Sequence, residues 1–365
     1  MILVIGDPHF REGNVSDMDY FVNFTIEFVK QHQEIDFIVV LGDILDRHGV
    51  LHQHPFHQAC KFLHRLGSMK KTYVLIGNHD FDNPSKFLPD NHPFLMWRLT
   101  ECPGVVIVDK PLYDNNYVFV PYVPPGMFRQ ALEYIDPNLE YLQTTKVIFA
   151  HQEFKGCRMG PIVSEVGDSW PLTDVDNCPF VVSGHIHERQ ELDGILYVGT
   201  PVQNGFADSY SDKGLCLFNP TDHSGKWFHV PIPRKMIVKL QQEELDQWIL
   251  THYAKLYGPV KTKSVNVLFK NHTNDKPLIC TPDKIKLVVY VEDTNEIKKS
   301  LLKNIQDTLC SVVKISLELK KSRMISDETQ PEEDVVIKIS DMILSRFNPE
   351  MDGLKRQLFA DLLVL

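Results

Sequence analysis

The sequence predicts an α/β protein built as a two-sheet sandwich, and two observations carry that prediction. Through residues 1–76, strand-like and helix-like segments alternate in the order β-α-β-α-β. That order implies a mainly parallel sheet with helices on its faces. Between residues 105 and 230 the apolar runs lie closer together and alternate more with polar residues. Closer spacing predicts antiparallel additions and a second sheet.

Each element has a local reason. Residues 1–5 are an apolar run that stops at Gly6. Residues 17–31 place apolar side chains at helical spacing. The run FIVVL at 37–41 reads as a buried strand. Residues 55–66 read as a helix opened by Pro55 and closed at Gly67. TYVLI at 72–76 is the next strand, and further strands are predicted at 105–108, 117–120, 147–150, 180–183, 195–198, 214–218 and 227–230. Two prolines within residues 230–236 mark a boundary. Beyond it, 285–291, 294–309 and 311–319 read as strand, helix and strand. Residues 326–334, SDETQPEED, have the composition of a solvated linker. Residues 335–365 read as two short amphipathic helices split by Pro349 and Gly353. The predicted division is therefore 1–235, 236–325 and 326–365, in keeping with cores that rarely grow past roughly 250–300 residues.

Composition narrows the function. No stretch of eighteen apolar residues is present, so no membrane span is expected. The N-terminus lacks a basic region before its apolar run, so a secretory signal is not expected. Seven scattered cysteines without a CxxC pair suit a reducing compartment, cytoplasmic, nucleoid-associated or nuclear. The net charge of -10 argues against gripping nucleic acid by bulk charge alone.

Polar residues follow the predicted strand ends. Asp7 and His9 follow the first, Asp43 the second, and Asn78 and His79 the third. His151 follows VIFA, and His185 and His187 follow VVSG. In parallel sheets such ends share one rim, where ligands gather. Any one set alone reads as capped or solvent-facing residues; five in register read as a site. Mixed Asp, His and Asn donors suit borderline divalent ions. With Asp43 shared, Asp7, His9 and His187 make one metal position and Asn78, His151 and His185 the other. Such a pair activates a shared hydroxide for attack on phosphorus. His79 is then placed to stabilise the pentavalent state or to protonate the leaving group, and Asp80 to orient it.

These blocks, Asp7-Pro8-His9, Gly42-Asp43, Gly77-Asn78-His79-Asp80, His151 and Gly184-His185-Ile186-His187, resemble the calcineurin-like metallophosphoesterase family. The resemblance implies a four-layer α/β/β/α sandwich, a dimetal centre and phosphoester hydrolysis. Within the family the chain most resembles the SbcD/Mre-type DNA repair nucleases and their phage recombination branch. GDILD at 42–46, the GNHD ending and LYVGTPVQNGFAD at 196–208 carry that likeness. It implies a manganese-dependent exonuclease or endonuclease acting on double-strand breaks. It also implies a small α/β cap beside the DNA, C-terminal helices docked on an ABC-type coiled-coil ATPase, and a homodimer. Asp46 stands where some members of the branch carry a histidine. That places Asp46 with His79 and Asp80 among the catalytic groups and leaves strand polarity open, with His48 two residues on as a substitute.

GDILDRHG also resembles the Ser/Thr protein phosphatase block in which an arginine holds phosphate, so Arg47 is a phosphate-contact candidate. A cyclic-nucleotide phosphodiesterase shares GNHD and GHxH. The cap argues against both alternatives. The intact ligand set argues against a scaffold without activity. For DNA, the candidate contacts are Arg47, His48, Lys155 and Arg158, the last two on a glycine-containing loop after His151. A leucine stripe at Leu354, Leu358 and Leu362 is the candidate partner surface.

Overall fold

A computed structural model of the chain describes residues 1–95, 103–206, 208, 212–232, 235–241, 284–291 and 314–321. The first sheet is assembled from β1 (Ile2–Ile5), β2 (Phe37–Val40), β3 (Thr72–Leu75) and β4 (Val105–Val108), all parallel. Two helices cover its outer face, α1 (Val15–Gln31) after β1 and α2 (Gln53–Gly67) after β2. Asp17 in the first turn of α1 and Lys30 in its last complement the helix dipole. Pro55 sits within the first turn of α2, where its missing N–H costs nothing.

The second sheet begins with β5 (Leu112–Asp114) and β6 (Tyr117–Val120). A short helix, α3 (Phe128–Glu133), then leads to β7 (Val147–Ala150). A small two-stranded hairpin, β8 (Arg158–Met159) and β9 (Ile162–Val163), precedes β10 (Phe180–Ser183), β11 (Gln190–Leu192) and β12 (Ile195–Tyr197). The strand order is β11-β12-β10-β7-β6-β5. The last strands of this region, β13 (Leu215–Phe218) and β14 (Gly225–Phe228), return to the first sheet, giving β14-β13-β1-β2-β3-β4.

The strand pleat explains the layering. Alternate residues of β1 face opposite ways: Ile2 and Val4 join the core between the sheets, while Leu3 and Ile5 join the core under α1 and α2. In β7, Val147 and Phe149 face the first sheet, whereas Ile148 and Ala150 pack under α3 with Phe128 and Leu132. Four layers result, as the sequence predicts. The inner core is aromatic: Phe119 stacks on Tyr73 with ring centroids 4.0 Å apart, and Phe149 lies 5.5 Å from Phe119.

One expectation needs correction. The close spacing after residue 105 suggests antiparallel pairing, yet β12, β10, β7 and β6 are mutually parallel. The links 121–146 and 151–179 are long enough to cross over, and only β11, β5, β13 and β14 add antiparallel edges. A third sheet, β15 (Lys235–Gln241), β16 (Lys284–Val291) and β17 (Lys314–Lys321), is parallel. The predicted helix at 294–309 and the predicted helices of 335–365 lie outside the described residues. No helix among the described residues is long and apolar enough to cross a membrane.

Phe149 is buried at the centre of the inner core, against both sheets. Phe149→Ala is expected to destabilise the protein by about 3–5 kcal/mol in urea titration, because the rigid sheets cannot close the cavity. A loss under about 1 kcal/mol would show that the sheets are not locked together at this ring.

Candidate metal centre

Both sheets direct the carboxyl ends of their parallel strands to one rim. Asp7 and His9 follow β1, Asp43 follows β2, Asn78 and His79 follow β3, His151 follows β7, and His185 and His187 follow β10. The loops are stitched before any side chain acts: His9 N–H donates to the Asp43 carbonyl at 3.0 Å and Phe10 N–H to that of Ile44 at 2.8 Å. His9, Asp43 and His185 all have positive φ, at 49°, 46° and 74°. L-residues adopt this region at a cost, and three such residues at one rim are a mark of a functional site. Gly77 has to be glycine, since a Cβ there would lie 2.2 Å from Asp43 N and 2.3 Å from its Oδ1.

The side chains form two clusters. In one, Asn78 Oδ1 lies 3.0 Å from His151 Nε2 and 2.9 Å from His185 Nδ1, and the two nitrogens are 3.3 Å apart. In the other, His9 Nε2 lies 3.1 Å from His187 Nε2. Asp43 sits between them, with Oδ1 3.4 Å from His151 Nε2 and Oδ2 3.7 Å from His9 Nε2. Asp7 is fully buried behind the clusters, with Oδ1 3.5 Å from His151 Nδ1. The seven residues predicted as ligands therefore converge.

This donor set fits divalent cations. Among the described residues, neither carboxylate oxygen of Asp7 has a hydrogen-bond partner, and the paired ring nitrogens face one another across short gaps. Buried acceptors without donors are costly unless a cation takes their place. One ligand atom each from Asp43, His151 and His185 lies within 4.8 Å of the others. The tautomers agree: the Leu41 carbonyl accepts from His151 Nδ1 at 2.8 Å, which leaves Nε2 turned inward.

Electrostatics point the same way. Burial raises Asp7 to about 7, with the charge of Asp43 adding and that of His151 opposing. Burial pulls His9 down to about 3, aided by His187 and His79 against the pull of Asp43. It also lowers His185 and His187. His151 runs opposite: burial disfavours its charge, but Asp43 and Asp7 outweigh this and raise it to about 9. Its proton is the counter-charge that a cation would replace.

The other predicted residues are placed as follows. His79 is at the rim, with Nδ1 2.8 Å from the Asp46 carbonyl and Nε2 4.0 Å from Asp43 Oδ2. The ring of His48 stacks on it at 4.3 Å. Asp80 does not orient His79, as the sequence suggests; it is buried and accepts from the N–H of Leu45 and of Gly77, at 2.8 and 2.9 Å. With both its oxygens engaged by backbone donors, its role is to brace the second and third loops. Asp46 contributes its backbone oxygen to His79, while its carboxylate meets Arg11 at 3.2 Å. Arg47 is exposed beside the site, in the wall of two cavities of about 300 and 320 Å³. Lys155 is exposed on the loop after His151, and Arg158, predicted on that loop, is exposed at the start of β8; their backbone N–H groups donate to the Asp168 carbonyl and the Gln190 side chain.

Sequence reasoning misses three supports. Glu153 lies 3.9 Å from His185 Nε2, on the side of the ring away from Asn78. Lys213 Nζ, largely buried, donates to the His187 carbonyl at 2.6 Å. Arg11 holds Asp46 and donates to the Asn204 carbonyl. Glu153 lies two residues after His151 and Arg11 two after His9, whereas Lys213 is far from any candidate ligand in the chain.

The fold is an α/β sandwich, and its rim is a candidate site for divalent metal. Residues 1–189 of 365 match the calcineurin-like phosphoesterase family, and the chain belongs to it. It is 42% identical over 213 residues to "Putative phosphoesterase 078R" of Invertebrate iridescent virus 3, spanning 57% of this chain and 59% of that one. It is 40% identical over 221 residues to "Putative phosphoesterase 244L" of Invertebrate iridescent virus 6, spanning 59% and 74%.

Protons must leave His151 and Asp7 for a cation to bind, so Mn²⁺ affinity should rise from about pH 7 to about pH 9. Calorimetric titration in buffers of different ionisation enthalpy should register proton release at pH 7 that fades by pH 9. Affinity that is flat across this range, without proton release, would contradict the assignment of these two groups.

Proposed function

We propose that this chain is a DNA nuclease of double-strand-break repair and recombination, using two divalent cations, Mn²⁺ foremost. One observation supports the two-ion reading above the rest: Asp43 offers Oδ2 towards His9 and Oδ1 towards His151. Asp7, His9 and His187 would hold one ion, and Asn78, His151 and His185 the other, with Asp43 shared. Bound there, the ions supply an activated water for attack on phosphorus and neutralise charge on the phosphate oxygens. Mixed oxygen and imidazole donors suit borderline divalent ions such as manganese, iron or zinc, and the resemblance to the SbcD/Mre-type nucleases is what puts Mn²⁺ first.

His79 handles the remaining proton. The Asp46 carbonyl can only accept, so Nδ1 carries a hydrogen and Nε2 faces the rim. When Nε2 also carries a proton, the imidazolium can donate to a phosphoryl oxygen or pass that proton to the leaving oxygen. Arg47 and His48 flank that position and are suited to contact the DNA backbone, while Lys155 and Arg158 would extend the track on the neighbouring loop. The GNHD ending favours DNA over a phosphopeptide, and the third sheet that starts at Lys235 favours DNA over both a phosphopeptide and a cyclic nucleotide. Residues 335–365 would dock on an ABC-type coiled-coil ATPase, and the nuclease would work as a homodimer.

Three measurements test this reading. Duplex DNA, a phosphopeptide and a cyclic nucleotide compared under one Mn²⁺ concentration should show DNA as the preferred substrate; preference for either of the others retires the nuclease assignment. His79→Ala should lose roughly 10²–10⁴-fold in rate while keeping its metal, as expected for a group that moves a proton. Parent-like cleavage by that variant would remove His79 from the chemistry. Deleting residues 335–365 should end co-purification with the ATPase and spare cleavage of short single strands, and undiminished co-purification would refute the docking role.

A further inference from the structure

Three successive residues of the first loop are tied to three of the second. His9 N–H donates to the Asp43 carbonyl, Phe10 pairs with Leu45 as an isolated bridge, and Arg11 meets Asp46 through its side chain. The first two ties are backbone. The third depends on one guanidinium, whose Nη1 donates to Asp46 Oδ1 at 3.2 Å and whose Nη2 donates to the Asn204 carbonyl. The Asn204 loop is itself firm: Asp208 Oδ2 accepts from the N–H of Asn204 at 2.6 Å and of Gly205 at 2.7 Å. Next to it, Gln203 exchanges backbone-directed hydrogen bonds with Lys235, the first residue of the third sheet.

What Arg11 fixes is the residue whose carbonyl holds His79. His79 has few other restraints: its ring is 31% exposed, lies edge-on to His9 at 5.1 Å and carries the ring of His48 on one face. The Asp46 carbonyl is its one ring hydrogen bond among the described residues. We propose that Arg11 is the positioning residue for His79, acting through Asp46: its fork clamps the second loop to the 203–208 loop and so sets where the His79 imidazole points. The inference rests on the role given to His79 above. A lysine cannot reproduce it, because one ammonium lacks the planar fork that spans a carboxylate and a carbonyl.

A rival role is available on the page. Arg11 also lines the cavity of about 300 Å³ shared with Arg47 and His52, where it could bind a substrate phosphate. Two features weigh against that. Its charge is already matched by Asp46, and Glu12 in the same wall pairs with His52 at 3.1 Å, so the cavity carries no surplus of positive charge from these pairs. The two roles also differ in kinetics: loss of positioning lowers kcat, whereas loss of a phosphate contact made in the ground state raises KM.

The test uses the full chain with Mn²⁺ and bis(4-nitrophenyl) phosphate, a small diester that makes no demand on a DNA track. Arg11→Ala and Arg11→Lys should each lower kcat, the alanine variant by roughly 10- to 100-fold, as is typical when a partner behind a functional side chain is removed. KM, bound metal by mass spectrometry and the melting temperature should stay at parent values. Combining Arg11→Ala with Asp46→Ala should cost no more than either alone, because both break one clamp. A second readout needs no turnover: in ¹H–¹⁵N spectra of the metal-free protein the His79 ring signals should move in Arg11→Ala, with smaller shifts at His9 and His48, which touch Asp46 or His79, and none at His151 and His185. Raised KM at parent kcat, loss of metal along with rate, or unmoved His79 signals overturns the inference. A parent protein inactive on both the diester and DNA overturns the proposed function instead, and the ring signals then decide the clamp by themselves.

Discussion

The structure depends on keeping two buried carboxylates together with a group of buried and partly buried imidazoles. Asp7, Asp43 and His151 are almost wholly buried, and the ring nitrogens around them face one another at 3.1 and 3.3 Å. Such a cluster is unfavourable by itself, since each group has given up hydration without gaining a full complement of donors. The chain offsets that cost locally with the proton on His151, which the neighbouring carboxylates stabilise to about pH 9. Cations would offset it better, because they meet all the inward donors at once.

The sandwich makes this arrangement rigid. Strands from two sheets end at the same rim, and the inner aromatic core fixes one sheet against the other. Bonds between loops then set the fine geometry, through the backbone ties of His9 and Phe10 to the second loop and the buried carboxylate of Asp80 between the second and third. Contacts this close leave no room for a larger residue at Gly77, and a Cβ on Gly184 would lie 2.5 Å from Asp7 Oδ1. The glycines of the GNHD and GHIH blocks are therefore part of the metal chemistry, although they carry no ligand.

The convergence of these donors is legible in the sequence because the pattern behind it is local. A buried strand, then glycine, then a donor, is a pattern within a few residues; its four occurrences, with His151 directly after the strand ending at Ala150, place the donors on one rim. The edges of the fold were less legible. Parallel pairing in the second sheet depends on long links whose path the spacing of apolar runs does not reveal, and α3 is only six residues long. The supports were hidden for another reason. Arg11 meets Asn204, and Lys213 meets the His187 carbonyl, over separations of 193 and 26 residues, and in both cases the acceptor is a backbone oxygen that any residue could provide. Asp80 was misread because adjacency in sequence to His79 suggested contact, whereas the turn over Asn78–Asp80 sends its side chain back into the protein.

Anomalous diffraction from crystals soaked in Mn²⁺ tests the central claim most directly. Two peaks should lie roughly 3.5–4 Å apart. One should sit among Asp7, His9 and His187 and the other among Asn78, His151 and His185, with Asp43 reaching both. A single peak, or peaks that Asp43 does not touch, would contradict the account.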